Sequence, residues 1–370
     1  MRRIRNARGI ALPLAIFALV IVGVMVAASF FIGRQEQLVG RNTVRLQQAF
    51  AAAEAGAQLS VASWDPNQLN ALTIGDSAAF GGVLAESGWY RGQVRRLNTL
   101  MYLVRSEGFS RDSTARQQVG LLVRLRPVEV DITAALKTQG ATKIGGSSYI
   151  DGTDNMPAGW TGCPGLQPTL PGIQLPDDSL ITTSGCAGLS CVSGNPKVLG
   201  DPTITGQSLT TFGDTQFDDL KAMATKIISG GTRKIEPSLT GGSCNYADAN
   251  NFGSPLLPAG PCGGYFPIVW VEGNLSVNGV QGQGVLVVNG SLDIQGGFEF
   301  FGPVIVRNQL STQGTGGHIT GGVIAANVDL DQNSALGNAV ISYSSCALEK
   351  ALQNSAPASL LRERSWVNLY

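Results

Sequence analysis

The amino-acid sequence predicts an α+β protein with a long N-terminal transmembrane helix, a small antiparallel sheet and then a mainly β domain. Residues 10–33 form one uncharged apolar run, and a short strand pattern occurs four times between residues 271 and 331. Glycine accounts for 48 of the 370 residues, and charged residues for only 14%. Such a composition is typical of turn-rich β structure rather than of a helical enzyme.

The helix is predicted over 10–64, and its first part, 10–33, is long enough to cross a membrane. A helix rises about 1.5 Å per residue, so about 20 residues span the hydrocarbon of a bilayer. Further along, apolar residues such as Leu38, Leu46 and Phe50 recur at steps of three and four, which extends the helix beyond the membrane. Four arginines precede the run, so the N-terminal end is expected in the cytoplasm and the bulk of the chain is expected to be exported.

The first 57 residues resemble the prepilins of type IV pili and type II secretion systems, and most of all the PilX-type minor pilins. A basic leader ends at Gly9, the uncharged run starts at Ile10, and the helix closes on an Ala-Glu-Ala-Gly stretch that contains Glu54. The resemblance implies that a prepilin peptidase removes residues 1–9 by cleavage between Gly9 and Ile10. It also implies contacts within a filament and the membrane, for which the candidate helix residues are Leu14, Leu38, Leu46, Phe50 and Glu54.

The same resemblance implies the partners and the location. The partners would be other pilins or pseudopilins, the prepilin peptidase, an inner-membrane assembly platform and the lipid bilayer. The location would be the bacterial inner membrane, crossed once, with display at a pilus tip or the cell surface. One position departs from the family pattern, because most pilins carry a glutamate five residues into the mature chain and this sequence has Leu14 there. In the family that glutamate neutralises a neighbour's amino terminus, so its absence suits a minor or tip subunit rather than a major pilin.

Two other interpretations of the N-terminal segment stay open. A cleaved secretory signal has an apolar core of about 7–15 residues, which is shorter than this run, although Ala27-Ala28-Ser29 could serve as a cleavage site. A plain single-pass anchor fits the apolar run equally well. That anchor would explain neither the glycine at the end of the basic leader nor the alanine-rich extension of the helix.

Residues 65–131 are expected to supply a small antiparallel sheet, which pilin-like proteins pack against the exported half of the helix. Leu100–Val104 and Val119–Arg126 have the apolar content of strands. A turn is predicted at Ser106–Gly108 between them, and residues 109–116 hold too few apolar side chains for a buried strand.

The remainder, 132–345, is predicted to form a short parallel β-helix with a disulfide-containing insertion. Four copies of a strand, corner and strand follow one another at steps of 17, 18 and 18 residues. This period suits one coil of a β-helix, in which each coil covers the apolar side chains of the next. An antiparallel β-sandwich with evenly spaced hairpins is the alternative. Two inward ladders are expected, one of Val271, Val288, Val306 and Ile324 and one of Leu275, Leu292, Leu310 and Val328.

Three further segments complete the prediction for this domain. Residues 141–152 are expected to form a first coil, and about 156–259 to form the insertion. Within the insertion a helix is predicted over 214–228, with acids in its first turn and a glycine pair after its end. A second helix, about 345–353, leads into a C-terminal segment, 346–370, that is expected to cap the open end of the β-helix.

Disulfides are predicted because all six cysteines lie beyond residue 160, in the part expected to be exported. Cys186 with Cys191, and Cys244 with Cys262, could each close a short loop. Zinc is the rival interpretation, but the sequence has no Cys-x2-Cys pair and only one histidine. The candidates for disulfides are Cys163, Cys186, Cys191, Cys244, Cys262 and Cys346.

No catalytic constellation, metal site or cofactor is predicted. His318 lies in a glycine-rich turn without a Ser-His-Asp pattern, and the acidic pairs do not match a calcium-binding loop. Residues after 130 hold 18 acids and 11 bases, which argues against nucleic acid as a partner. The predicted function is therefore a non-enzymatic structural subunit. The alternative is a membrane-anchored β-helix protein that binds or cleaves carbohydrate, with Asp293 and Glu299 as its carboxylates.

Overall fold

The computed structural model describes residues 11–85, 88–212, 215–313, 316–332, 338–361 and 366–369. The helices are α1 Ala11–Ala62, α2 Pro66–Leu69, α3 Asp219–Met223 and α4 Ser345–Asn354, with a 3₁₀ turn at Asp178–Leu180. The strands are β1 Ser77–Leu84, β2 Gly88–Arg96, β3 Met101–Phe109, β4 Arg116–Leu125, β5 Leu136–Thr138, β6 Thr142–Ile144, β7 Tyr149–Asp151, β8 Ile173–Leu175, β9 Ile181–Thr183, β10 Val192–Ser193, β11 Val198–Gly200, β12 Thr211–Phe212, β13 Thr215–Gln216, β14 Lys226–Ile235, β15 Leu239–Thr240, β16 Ser243–Cys244, β17 Ile268–Gly279, β18 Gln281–Gln283, β19 Val285–Asn289, β20 Leu292–Gln295, β21 Glu299–Gln313, β22 His318–Gln332, β23 Val340–Tyr343, β24 Ala358–Leu360 and β25 Trp366–Leu369. The predicted fold class, a long helix followed by a small antiparallel sheet and a mainly β domain, is confirmed.

Helix α1 is 52 residues long and, among the described residues, holds the one segment that is long and apolar enough to cross a membrane. Pro13 falls in its first turn, where a missing backbone N–H costs no helical hydrogen bond. The helix ends before Pro66, because a proline disfavours helical backbone in the residue that precedes it. Asp65 is that residue, and its side chain accepts a hydrogen bond from the backbone N–H of Asn67 at 3.0 Å to cap α2.

The small sheet is antiparallel and packs against the last part of α1. Strands β1, β2, β3 and β4 lie side by side in chain order, and β24 and β25 both pair with the far edge of β4. Alternate side chains of β3 and β4 face the helix, and Val104, Val119 and Val123 are fully buried there. The turn predicted at 106–108 is wrong. Strand β3 continues to Phe109, because its glycine pairs with both neighbouring strands where the helix comes closest.

The second sheet has fifteen strands, and each of its described pairings is parallel. It is termed the coil stack here and comprises β5–β11, β14 and β17–β23. The parallel pairing excludes the sandwich alternative for these strands. One predicted ladder is present as expected, with Leu275 beside Leu292, Leu292 beside Leu310, and Leu310 beside Val328, all four buried.

The other predicted ladder is wrong at its last member. Val271, Val288 and Val306 are in register, but the next residue in that row is Ala325, while Ile324 pairs with Ile305. Between the two ladders, β21 contains one more residue than β22. The pairing register of these two strands therefore shifts by one residue there. A shift of one residue turns a side chain to the opposite face, and Ile324 is buried on the outside of the stack.

The order of coils along the stack differs from the order along the chain. Strand β22 pairs on one side with β21, and on the other with β23, β5 and β6 together. Strands β7 to β11 continue the stack beyond that point. Residues 141–152 therefore do belong to the stack, but they follow the last repeat rather than precede the first.

The predicted insertion, 156–259, is only partly outside the stack. It supplies β8–β11 at one end and β14 at the other, where β14 pairs with β17. Between them, residues 201–212 and 215–225 run along the outside of the stack, and Leu209, Phe212 and Leu220 pack in the same apolar cluster as Trp270 and Ile305. This crossing segment covers apolar side chains that point away from the coil interior.

The helix predicted over 214–228 is wrong in length. Residue 214 lies outside the described residues; within 215–228, the helix covers Asp219–Met223, and Lys226 already begins β14. Parallel pairing with β17 outweighs the weak intrinsic preference of a short segment for helix. Helix α4 forms close to the predicted residues, but it packs beside β21 and β22 on the outer apolar cluster and does not close the end of the stack.

The leucine ladder allows a direct test of the stack. Replacing Leu292, which is 1% exposed, with aspartate would bury a carboxylate between two leucines and should lower the free energy of unfolding by several kcal/mol. Replacing the adjacent, half-buried Ser291 with aspartate adds the same group at the corner of the coil and should cost less than about 1 kcal/mol. Urea unfolding of both variants measures the difference. Equal losses would contradict the observed register.

Candidate functional site: the N-terminal helix

The first half of α1 projects from the rest of the described chain. Every side chain described from Leu12 to Ile32 is exposed, and Leu14 is 66% exposed. Leu38 and Leu46 are exposed as well, although they lie beyond the uncharged run. Apolar surface of this extent is not stable in water and marks a membrane or protein contact. The proposed cleavage position, Gly9 and Ile10, lies outside the described residues.

The second half of α1 packs on the small sheet through very small side chains. Ala49, Ala52, Ala53 and Ala57 are fully buried; Ala49 lies three and four residues before the adjacent Ala52 and Ala53, and Ala57 lies four residues after Ala53, so all four share one face of the helix. Phe50 stands beside this stripe and contacts Trp366 edge-to-face, with ring centroids 5.6 Å apart. Small side chains allow the backbone of a helix to approach a strand closely, so this stripe sets the separation between α1 and the sheet.

Two glycines make the closest contacts between α1 and the sheet. A methyl group added at Gly56 would lie 2.5 Å from Tyr90 Cδ2 and 2.7 Å from Ser106 Oγ. A methyl group added at Gly108 of β3 would collide with the helix backbone at Ala49 and Ala53. Alanine at Gly108 does not fit without moving the helix, and alanine at Gly56 does not fit without moving the helix or the side chains of Tyr90 and Ser106. The Ala-Glu-Ala-Gly stretch therefore has a physical role, which is to let α1 lie against β2 and β3.

Glu54, predicted as a candidate contact residue of the helix, forms a hydrogen bond within α1. It is half-buried beside the small-residue stripe, and its Oε1 accepts a hydrogen bond from Gln58 Nε2 at 3.4 Å, one turn further along α1. No polar contact from Glu54 to the sheet occurs among the described residues. Its carboxylate therefore remains open to a partner.

An ion pair holds the turn between β3 and β4 against helix α1. Arg45 contacts Asp112, which lies in the turn between β3 and β4, with 2.7 Å between Nη2 and Oδ2. Hydrogen bonds from the hydroxyls of Thr114 and Ser110, together with the nearby guanidinium of Arg45, hold the pKa of Asp112 well below its usual range. The aspartate therefore keeps its charge, and the contact with α1, in mildly acidic surroundings.

A buried hydrogen-bond network joins the segment between α1 and β1 to helix α4. Asn70 is fully buried, and its Nδ2 donates to the carbonyls of Gln353, Asn354 and Ala356 at 2.9–3.1 Å. These carbonyls lie at the end of α4, where a helix leaves acceptors unpaired. Trp64 Nε1 donates in turn to Asn70 Oδ1 at 2.8 Å. The network fixes the direction in which the chain returns from the coil stack to the sheet.

Arg96 holds the backbone around Asn70 in place. Its guanidinium donates to the backbone carbonyls of Asn70 and Leu72, both at 2.7 Å, and to that of Thr99 at 2.9 Å. It also lies over the ring of Tyr102, and burial raises the pKa of that phenol to about 12. A cleft of about 500 Å³ opens next to this junction, between the loop after α2 and helix α4.

All six cysteines are paired, as Cys163–Cys346, Cys186–Cys191 and Cys244–Cys262. The first pair ties the start of α4 to a loop 183 residues earlier in the chain. Within the residues that the structure describes, no group of three or more His, Cys, Asp or Glu side chains could hold a metal ion. The cysteine pairing leaves no thiolate for the zinc interpretation.

The carboxylates of the enzyme interpretation lie apart in the stack. Asp293 belongs to the row that includes Ser276 and Ser311, and it accepts hydrogen bonds from Gln295 and Ser311. Glu299 belongs to a different row, next to Gln281 and His318. The two side chains therefore lie in different rows of the stack.

The close contact between helix and sheet gives a matched pair of substitutions. Gly56→Ala forces α1 and Tyr90 apart and should lower the free energy of unfolding of the folded domain by about 1–3 kcal/mol. Gly40→Ala lies on the same helix with nothing within 4 Å, so it should leave that free energy unchanged or raise it by up to about 1 kcal/mol. Thermal unfolding in detergent compares the two. A Gly56→Ala variant as stable as Gly40→Ala would show that the helix and sheet are not packed this closely.

No family model and no curated protein sequence matches this chain. Among solved structures, the chain is similar to the crystal structure of the competence-associated pilin ComZ from Thermus thermophilus, with 13% sequence identity and a TM-score of 0.27. The alignment covers 88% of this chain and 97% of that chain. A TM-score of this size does not establish a common fold.

Proposed function

We propose that this chain is a structural subunit of the pilin type, a minor pilin or pseudopilin of a type IV pilus or a type II secretion-like filament. In this proposal α1 anchors the subunit in the inner membrane with its N-terminus in the cytoplasm, and the sheet and coil stack are exported. The observation that carries the proposal is the division of α1 into two halves. One half is exposed and apolar, and the other is packed against an antiparallel sheet through alanine and glycine.

The exposed half has to be covered, and two coverings fit its chemistry. Before assembly, lipid covers residues 12–33, since about 20 apolar residues match the hydrocarbon thickness. After assembly, the helices of neighbouring subunits would replace the lipid and also cover Leu38 and Leu46, which lie above the membrane. A helix that only anchored the protein would have no need for apolar side chains at those two positions.

The remaining partners follow from the same proposal. A prepilin peptidase would remove residues 1–9, and an inner-membrane assembly platform would extract the mature subunit from the bilayer. The coil stack would stand at the tip or on the outside of the filament, and the hydrogen bonds of Asn70 would hold it to the segment that follows α1. No catalytic step is assigned to it.

The first test is the mature N-terminus. Mass spectrometry of the protein from membranes should find a chain that begins at Ile10. Gly9→Ile should abolish this cleavage and leave the full-length chain, whereas Gly33→Ala, at the far end of the same uncharged run, should be processed normally. A mature chain that begins near Ser29 or Phe30 would identify a secretory signal and would refute the proposal.

The second test concerns Leu14. Without a carboxylate at this position, a subunit cannot neutralise the buried amino terminus of its neighbour, and an unpaired charge in an apolar setting costs on the order of several kcal/mol. The chain expressed without other pilins should therefore form no long filaments in electron micrographs. Leu14→Glu supplies the missing carboxylate and should permit longer ones. Long filaments of the unchanged chain would contradict the assignment as a minor or tip subunit.

A further inference from the structure

The outer face of the small sheet, opposite α1, carries a regular row of arginines. Strand register places them beside consecutive outward positions of β3. Arg116 pairs with Phe109 and Arg91 with Glu107, Arg105 is itself on β3, Arg95 pairs with Leu103, and Arg124 pairs with Met101. The arginine row therefore consists, from one end of the sheet to the other, of Arg116, Arg91, Arg105, Arg95 and Arg124.

The spacing of the row follows from strand geometry. Successive outward positions of β3 are two residues apart, which is about 7 Å at a rise of about 3.4 Å per residue. Five such positions cover about 27 Å along the sheet. All five side chains are exposed. Arg91 and Arg95 lie on β2 and Arg116 and Arg124 on β4, so the row alternates across β3 within a band about 10 Å wide. A band of cations about 27 Å long fits an extended polyanion better than it fits a compact anion.

The positive charge of the row is largely uncompensated. Glu107 is the one acid at the described outward positions of this sheet, and it contacts Arg91 at 3.0 Å and Arg116 at 3.8 Å. Arg95 donates to the carbonyl of Gly75, which carries no charge. Arg105 and Arg124 have no ion-pair partner among the described residues. Residues after 130 hold 18 acids and 11 bases, so the rest of the chain does not share the positive charge of this face.

We propose that the arginine row binds a linear acidic polysaccharide through its carboxylates. Guanidinium groups bind carboxylates in a bidentate manner, and the row consists of arginine alone, with no lysine. Leu103 and Leu122 lie half-buried between the arginines, where they can contact the C–H faces of sugar rings. This inference does not depend on the proposed role as a pilin, because it uses only the exposed face of the sheet.

A single-stranded nucleic acid fits this face less well. Proteins that bind single strands offer free aromatic rings on which bases stack. The outward aromatic side chains described here, Trp89 and Phe109, are stacked on each other with ring centroids 3.8 Å apart. They therefore present no open ring pair between which a base could insert.

The test measures binding of the full chain, in detergent, to immobilised alginate, a linear polymer of uronic acids. The variant R95Q/R105Q/R124Q removes three arginines of the row that have no acidic partner, and should bind about tenfold more weakly at low salt. The control R111Q/K197Q/K234Q removes the same charge from exposed positions away from the sheet face and should bind within about twofold of the unchanged chain. Circular dichroism checks that both variants fold. If the variant R95Q/R105Q/R124Q does not fold, the single variant R105Q is measured in its place.

Three results would overturn the proposal. The row variant could bind alginate as tightly as the control variant, which would show that the row is not the binding surface. The unchanged chain could fail to bind alginate at low salt. A single-stranded oligonucleotide of equal charge could bind more tightly than alginate, which would assign the row to nucleic acid instead.

Discussion

The close contact between α1 and the small sheet is the constraint on which the rest of the structure depends. Gly108 on β3 and Gly56 on α1 allow the two backbones to approach where any larger side chain would separate them. Because the helix is continuous, this contact also fixes the direction in which its exposed half leaves the domain. The exposed half of α1 and the outer face of the sheet both take their positions from it.

The segments of chain that enter and leave the coil stack hold it to the small sheet and α1. The chain leaves the sheet after β4 and returns as β24 and β25, which pair with that same strand. Asn70 binds the end of α4, and the Cys163–Cys346 disulfide holds its beginning. Strand pairing, buried hydrogen bonds and a covalent link thus act at one junction, which favours a fixed arrangement over a flexible tether.

Sequence reasoning predicted the features that depend on local periodicity. The uncharged run and the three- and four-residue steps predicted α1, and the 17–18-residue steps predicted parallel pairing and the ladder of Leu275, Leu292 and Leu310. The order of the coils could not be predicted from the sequence. Strands β5 and β6 pair with β22, which lies nearly 200 residues later in the chain, and no local sequence pattern indicates such a pairing. Lys226 illustrates the same limit, since pairing with β17 makes its segment a strand.

The candidate site was predictable in part for the same reason. The exposure of Leu14 followed from its position in the uncharged run. Leu38 lies beyond that run, and the sequence predicts only that it belongs to the same helix. The sequence did not predict the roles of Gly108, Asn70 and Trp366, because each role depends on a contact with an element that is distant in the chain. The one available signal is the glycine within β3 just before its end, which the sequence pattern predicts to be part of a turn. A glycine within a strand can equally mark the close approach of another backbone.

The central claim is that α1 crosses the membrane with its exposed half while everything from its packed half onward lies on the far side. Cysteine labelling tests it directly, because all six native cysteines are in disulfides and a single added thiol is therefore unique. In spheroplasts, a membrane-impermeant maleimide should label Gln47→Cys and leave Val20→Cys unlabelled until the membrane is dissolved. Labelling of both positions at the same rate, or of Gln47→Cys only after the membrane is opened, would contradict the account.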